Sequence, residues 1–214
     1  MHIPDGFLSL PTSVTLIGVS GASLWFSIWK ATRELVEKQV PLLAVTAAFI
    51  FAAQMLNFPV AIGTSGHFLG AMLAVILLGP YASFIVITIV LVLQALIFKD
   101  GGLLAMGANI FNMAFIGGIV SSWIFMGLKK ILPKNKGVFI ALVGVVSWLS
   151  VVLASFACST ELAISGTFQF VPVTWSMFTV HAIIGLGEAI ITAAVVSLVL
   201  SVRPDLVALW DGGK

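Results

Sequence analysis

The stretch His67-Phe68-Leu69-Gly70-Ala71-Met72-Leu73-Ala74-Val75-Ile76-Leu77-Leu78-Gly79-Pro80 decides how this chain folds. It is apolar enough to enter a bilayer, but its core, 67–79, is short beside the roughly 20 residues that an apolar helix needs to cross one. Gly66 precedes it and Gly79-Pro80 stops it. A short or broken helix in a membrane is tolerated only where its loose end is buried in protein or lines a polar cavity. The segment is therefore expected inside a helix bundle, with His67 at its loose end.

Longer apolar runs flank it, with cores at 11–29, 41–57, 82–98, 108–128, 137–158 and 178–201. Together they make about seven spans. Hydrophobic residues are 60% of the 214 and charged residues 8%, and the mean hydropathy is +1.19. That lies far outside soluble globular usage. The net charge of +2 is too small to argue for nucleic acid. Cys158 is the lone cysteine, which excludes an intramolecular disulfide and a cysteine metal cluster. The first ten residues lack Lys and Arg and carry Asp5, so no signal peptide is expected and Met1 should stay on the mature protein. The expected fold is all-α, a polytopic membrane protein of about seven transmembrane helices. It forms one domain over 1–214: an N-terminal segment 1–10, a bundle 11–201 and a short cytoplasmic tail 202–214.

Basic residues orient it. Lys30, Arg33 and Lys38 fall between spans one and two; Lys129, Lys130, Lys134 and Lys136 between five and six; Arg203 and Lys214 after span seven. Seven spans put all of these on one side, which the positive-inside rule makes the cytoplasm. Lys99 alone falls opposite. The N-terminus is then outside, as are 58–67, 99–107 and 159–176.

That face carries the candidate chemistry. Met1 supplies an α-amine, and His2 follows at once. Amine, Met1–His2 amide nitrogen and imidazole Nδ1 can close two fused chelate rings on one ion. The amide must lose its proton; Ni(II) and Cu(II) promote that loss and accept planar nitrogen sets. His67 is the strong candidate for the remaining ligand. A His at position 2 also disfavours removal of the initiator Met. Pro4 keeps the first residues extended. Against this stands the ordinary behaviour of chain ends, which are commonly loose and solvated.

Other polar residues lie within the spans. Asn109 and Asn112, three apart, face one way on a helix and must find partners, either a ligand imidazole or an adjacent loop; a helix cap and interhelical glue are equally open. His181 and Glu188, seven apart, share a face of span seven and read as a structural pair, with Gly185 and Gly187 allowing close helix contact. Glu188 reads as deep, and His67 as external. On span two Ala44, Ala48 and Ala52 form a small-residue row that permits close helix approach, within this subunit or to another.

Several motifs make a resemblance. Met1-His2-Ile3-Pro4-Asp5-Gly6-Phe7-Leu8, Gly66-His67-Phe68-Leu69-Gly70, Gly79-Pro80, Gln94-Ala95 with Gly101-Gly102, and Gly107-Ala108-Asn109-x-Phe111-Asn112-Met113 resemble the CbiM/NikM family. Its members are substrate-capture subunits of energy-coupling-factor importers, a class of ABC transporter, for cobalt or nickel. The resemblance is strongest from residue 1 through span five and looser through Glu188. It implies that Met1, His2 and His67 bind Ni(II) or Co(II), without favouring either, and that Ser65, Asn109 and Asn112 support them. It implies that the alanine row of span two docks on a transmembrane coupling subunit. It also implies two cytoplasmic ATPases, an accessory small membrane subunit in some systems, and a place in the prokaryotic plasma membrane. This sequence contains no phosphate-binding loop of the form Gly-x-x-x-x-Gly-Lys-Ser/Thr, so energy is expected from partners rather than from an activity of its own.

Two rivals are a rhomboid-like intramembrane serine protease and a stand-alone cation carrier. The first rests on Gly63-Thr64-Ser65-Gly66 with His181 as base, though Gly185 is one residue late for that pattern. The second needs a polar path for which only His181 and Glu188 offer material.

Overall fold

The computed structural model describes residues 1–34, 39–59 and 65–212. Among the described residues seven helical rods follow one another: α1 (Leu10–Glu34), α2 (Val40–Gln54), α3 (Ala71–Leu78), α4 (Pro80–Phe98), α5 (Met106–Ile131), α6 (Lys136–Ile164) and α7 (Phe170–Val202). Five of these, α1 and α4 to α7, are long and apolar enough to cross a membrane. α2 is a shorter apolar helix, and α3 has eight residues. The chain is a multi-pass helical membrane protein, as its apolar runs require. Lys38 and Lys214, used above for orientation, lie outside the described residues, as do Gly63 and Thr64.

Local chemistry sets the boundaries. Pro80 and Pro41 stand in the first turns of α4 and α2, where a missing N–H costs nothing. Asn135 caps α6 by accepting from Val138 N at 2.9 Å. Gly70 (φ +75°) and Gly79 (φ +83°) bracket α3 in conformations that suit glycine. The final turn of α4 (Gln94–Phe98) and the middle of α5 (Phe111–Val120) widen into π-helix, a form that often marks function.

Three expectations need correction. His67 ends a strand rather than starting span three, and part of the expected loop before it is paired: β2 (Ser65–His67) runs antiparallel to β1 (Asn57–Pro59), His67 opposite Asn57. The external connection predicted over 159–176 is shorter, because α6 runs to Ile164 and α7 begins at Phe170. Residues after α7 fold back on the bundle: Val207 is buried, Leu209 N donates to Ile76 O (3.3 Å), and Trp210 packs edge-on to Phe139. Lys129 pairs with Asp211 at 2.8 Å.

α3 is buried along its whole length, including Ala71, Met72, Leu73 and Ile76, and is the bundle's central rod. That is how so short a helix survives in lipid. α1 and α5 approach through Gly107: a Cβ there would sit 2.6 Å from the Leu16 carbonyl carbon and closer still to the Ile17 backbone. Ser20 Oγ donates to Gly107 O across the same contact. Gly107→Ala is expected to destabilise the fold by about 1–3 kcal/mol, because two backbones must separate; thermal melting in detergent checks this.

Candidate metal centre

The N-terminal segment is buried, contrary to the usual looseness of chain ends. Met1 and Ile3 are wholly buried and His2 is 3% exposed. Two clamps seat it. Asn109 Oδ1 accepts from Ile3 N (2.8 Å) and Asn109 Nδ2 donates to Ile3 O (3.2 Å), while Gly102 N donates to the same carbonyl (2.9 Å). Asp5 then accepts from Leu103, Leu104 and Ala105 N at the head of α5. A carboxylate is favoured there by the unpaired N–H groups and the helix dipole. A Cβ on Gly102 would run into Asp5, so the glycine is what lets the segment lie flat.

His2 and His67 meet inside. Their rings stack at 4.5 Å between centroids, with 27° between planes. His2 Nε2 bonds Gln94 Oε1 at 3.1 Å, so Nε2 carries the proton and Nδ1 the lone pair. His67 Nδ1 donates to Phe68 O at 2.7 Å, which leaves its Nε2 with the lone pair. Neither His2 Nδ1 nor His67 Nε2 has a hydrogen-bond partner, an arrangement that costs energy unless something else fills it. Metal-binding histidines are oriented by this kind of bond through the opposite ring nitrogen. Asp100 Oδ1 lies 3.3 Å from His2 Nδ1.

Burial strips these nitrogens of protons. It pushes the Met1 amine down to about 5, partly opposed by Cys158 and Asp100. Burial and then the charge of the amine push His2 down to about 3, and the same causes hold His67 well below its ordinary range. Burial raises Asp100. At neutral pH the pocket therefore presents three unprotonated nitrogens. Among the described residues no cluster of three or more His, Cys, Asp or Glu side chains could hold an ion.

The loop that carries His67 is tied to two helices. Gln54 Nε2, from α2, donates to Leu69 O (2.7 Å). Glu188, from α7, accepts from Leu69 N (2.6 Å) and Gly70 N (2.8 Å). The expected pairing of Glu188 with His181 is not formed: His181 Nδ1 bonds Met177 O instead. Glu188 instead ties down the backbone two and three residues after His67. Gly185 does permit close contact, against Trp148, whereas nothing lies within 4 Å of a Cβ on Gly187.

Asn109 and Asn112 serve different ends. Asn109 holds the N-terminal segment, and Asn112 Nδ2 donates to Glu161 Oε2 at 2.7 Å. Neither bonds a histidine ring. Ser65 belongs to β2, opposite Pro59, and its side chain lies outside the described residues. Ala44, Ala48 and Ala52 are exposed, and α2 turns Thr46, Ile50 and Gln54 inward instead. Sequence reasoning missed Gln54, Gln94, Asp100 and Glu161. Uncompensated amides and acids in or beside apolar spans were the available signal.

Comparison with known proteins gives the family and the fold. The family model described as cobalt uptake substrate-specific transmembrane region, CbiM, matches residues 2–206. A protein of Archaeoglobus fulgidus that carries the provisional name fused nickel transport protein NikMN is 40% identical over 97% of this chain and 68% of its own length. The fused nickel transport protein NikMN of Rhodobacter capsulatus is 32% identical over 97% of this chain and 64% of its own length. A crystal structure of a truncated transition metal transporter superposes with a TM-score of 0.86 at 32% identity, covering 94% of this chain and 99% of that one.

Proposed function

This chain belongs to the CbiM family of cobalt-uptake substrate-specific transmembrane proteins, and on that premise we propose that it captures Ni(II) or Co(II) for an ATP-driven importer. The observation that carries the reading is the pair of stacked, buried imidazoles whose inward nitrogens, His2 Nδ1 and His67 Nε2, have no hydrogen-bond partner beside a buried Met1. The Met1 amine, the Met1–His2 amide nitrogen, His2 Nδ1 and His67 Nε2 are the ligands. Such a set favours ions that accept planar nitrogen ligands over Zn(II), which prefers tetrahedral sites, and over Mg(II), which prefers oxygen.

Gln94 and the Phe68 carbonyl fix the two rings through their other nitrogens. Asn109 and Asp5 bring the terminus to them. Ser65 and Asn112 remain candidates for support at one remove, Asn112 through Glu161. Binding pins the terminus and the β1–β2 ribbon together on the external side. The loaded subunit then docks through the exposed row Ala44, Ala48 and Ala52 on a transmembrane coupling subunit. Two cytoplasmic ATPases, with a small accessory subunit in some systems, drive release inward across the prokaryotic plasma membrane.

Proton release tests the ligand set. With the amine down at about 5 and His2 at about 3, neither holds a proton to displace at neutral pH. The amide proton is the one that leaves. Binding is therefore expected to strengthen about tenfold per pH unit between roughly pH 6 and 8. The slope should steepen below pH 5, where protons compete for the amine as well. Nickel titration calorimetry in two buffers of different ionisation enthalpy counts the protons; a flat pH profile rules out amide ligation.

A further inference from the structure

We infer that Asp100 is the carboxylate that receives the incoming dication at the outer rim and balances its charge once it is chelated; this rests on the nitrogen chelate proposed above. Asp100 bridges solvent and site. Its side chain is 24% exposed, while the His2 side chain beside it is 2% exposed. Its Oδ1 stands 3.3 Å from His2 Nδ1. Its backbone N donates to Gln94 O (3.1 Å), and its Oδ2 accepts from Asn57 Nδ2 (3.3 Å) on β1. Gln94 and Asp100 thus address the His2 ring from both nitrogens, one by a hydrogen bond and the other by an anionic oxygen.

Counting charge shows why an acid is needed there. A dication bound by a neutral amine, two neutral imidazoles and one deprotonated amide keeps a net charge of +1. Met1, His2 and His67 are at most 3% exposed, and an uncompensated charge at that depth is costly. The other acids nearby already serve the protein: Glu188 holds Leu69 and Gly70, Glu161 holds Asn112, and Asp5 caps α5. Asp100 Oδ1 has no hydrogen bond of this kind and faces the nitrogen that takes the ion. An ion at an ordinary metal–nitrogen distance of about 2 Å from His2 Nδ1 therefore has an anionic oxygen next to it. The same carboxylate, partly in water, concentrates dications at the mouth.

The test uses nickel chloride with the purified full chain, its Asp100→Asn and Asp100→Glu variants, calorimetry for affinity, and stopped-flow rates at two ionic strengths. The Asn variant should keep the planar Ni(II) spectrum at saturation, bind about 10–100-fold more weakly, and lose most of the salt dependence of its on-rate. The Glu variant should recover most of the affinity. Parent-like affinity and on-rate in Asp100→Asn overturn the inference, as does a Glu variant as weak as the Asn one. If the Asn variant does not fold, a parent on-rate that ignores ionic strength overturns it. A parent that never gives a planar spectrum removes the chelate and this inference together. A planar parent with an indifferent Asn variant removes this inference alone.

Discussion

One glycine added before Met1 is expected to abolish planar Ni(II) binding. The extension leaves His2 and His67 in the sequence but moves the amine and breaks the fused rings. Chelation makes each further ligand an intramolecular one, an advantage worth roughly 10²–10⁴ in affinity, and the extended variant forfeits it. The readout is a yellow, diamagnetic planar spectrum in the parent and none in the variant. Melting gives a second readout: nickel at 1,000 times the dissociation constant stabilises the parent by about 4 kcal/mol through mass action, and that increment should vanish. Met1 is wholly buried, so the metal-free melting temperatures must be compared too. A variant that melts like the parent without nickel but gains nothing from it has lost chelation rather than its fold. Equal nickel binding by both chains would falsify the ligand set.

Glu188→Ala is expected to produce the other large effect. The carboxylate accepts two backbone N–H groups, Leu69 N at 2.6 Å and Gly70 N at 2.8 Å, in a fully buried place. Its removal orphans both donors, at about 1–3 kcal/mol each. It also frees the loop that carries His67, which should weaken nickel binding about 10–100-fold. Glu188→Gln keeps the shape but turns an NH₂ toward one of the two N–H groups, so it should fall between parent and Ala variant in both readouts. An Ala variant with unchanged melting and unchanged affinity would sink the idea that α7 positions this loop.

Much of this was legible in the chain. Met1-His2 followed by Pro4 marks a possible amine–amide–imidazole chelate, because those three nitrogens are local and their spacing is covalent. The seven apolar runs mark seven helices, and Gly79-Pro80 marks the break between α3 and α4. The segregation of Lys and Arg predicts a side for each loop. What went unseen was the ribbon at Ser65–His67 and the return of the C-terminal residues to the bundle, because three-residue strands and single docked tryptophans have no period to detect.

The sequence by itself determined the number and order of the apolar helices; the outward N-terminus and the chelating atoms are what charge segregation and covalent spacing predict. Each of these depends on neighbours in the chain. Only the tertiary structure decided which polar side chain meets which. His2 finds Gln94 across 92 residues, Ile3 finds Asn109 across 106, and Leu69 finds Glu188 across 119. The reason is physical. Lipid is as apolar as the protein core, so a membrane helix can be apolar all round, and its pattern does not reveal which face turns inward. The inward polar residues become readable only once the folded bundle has brought each one to its partner.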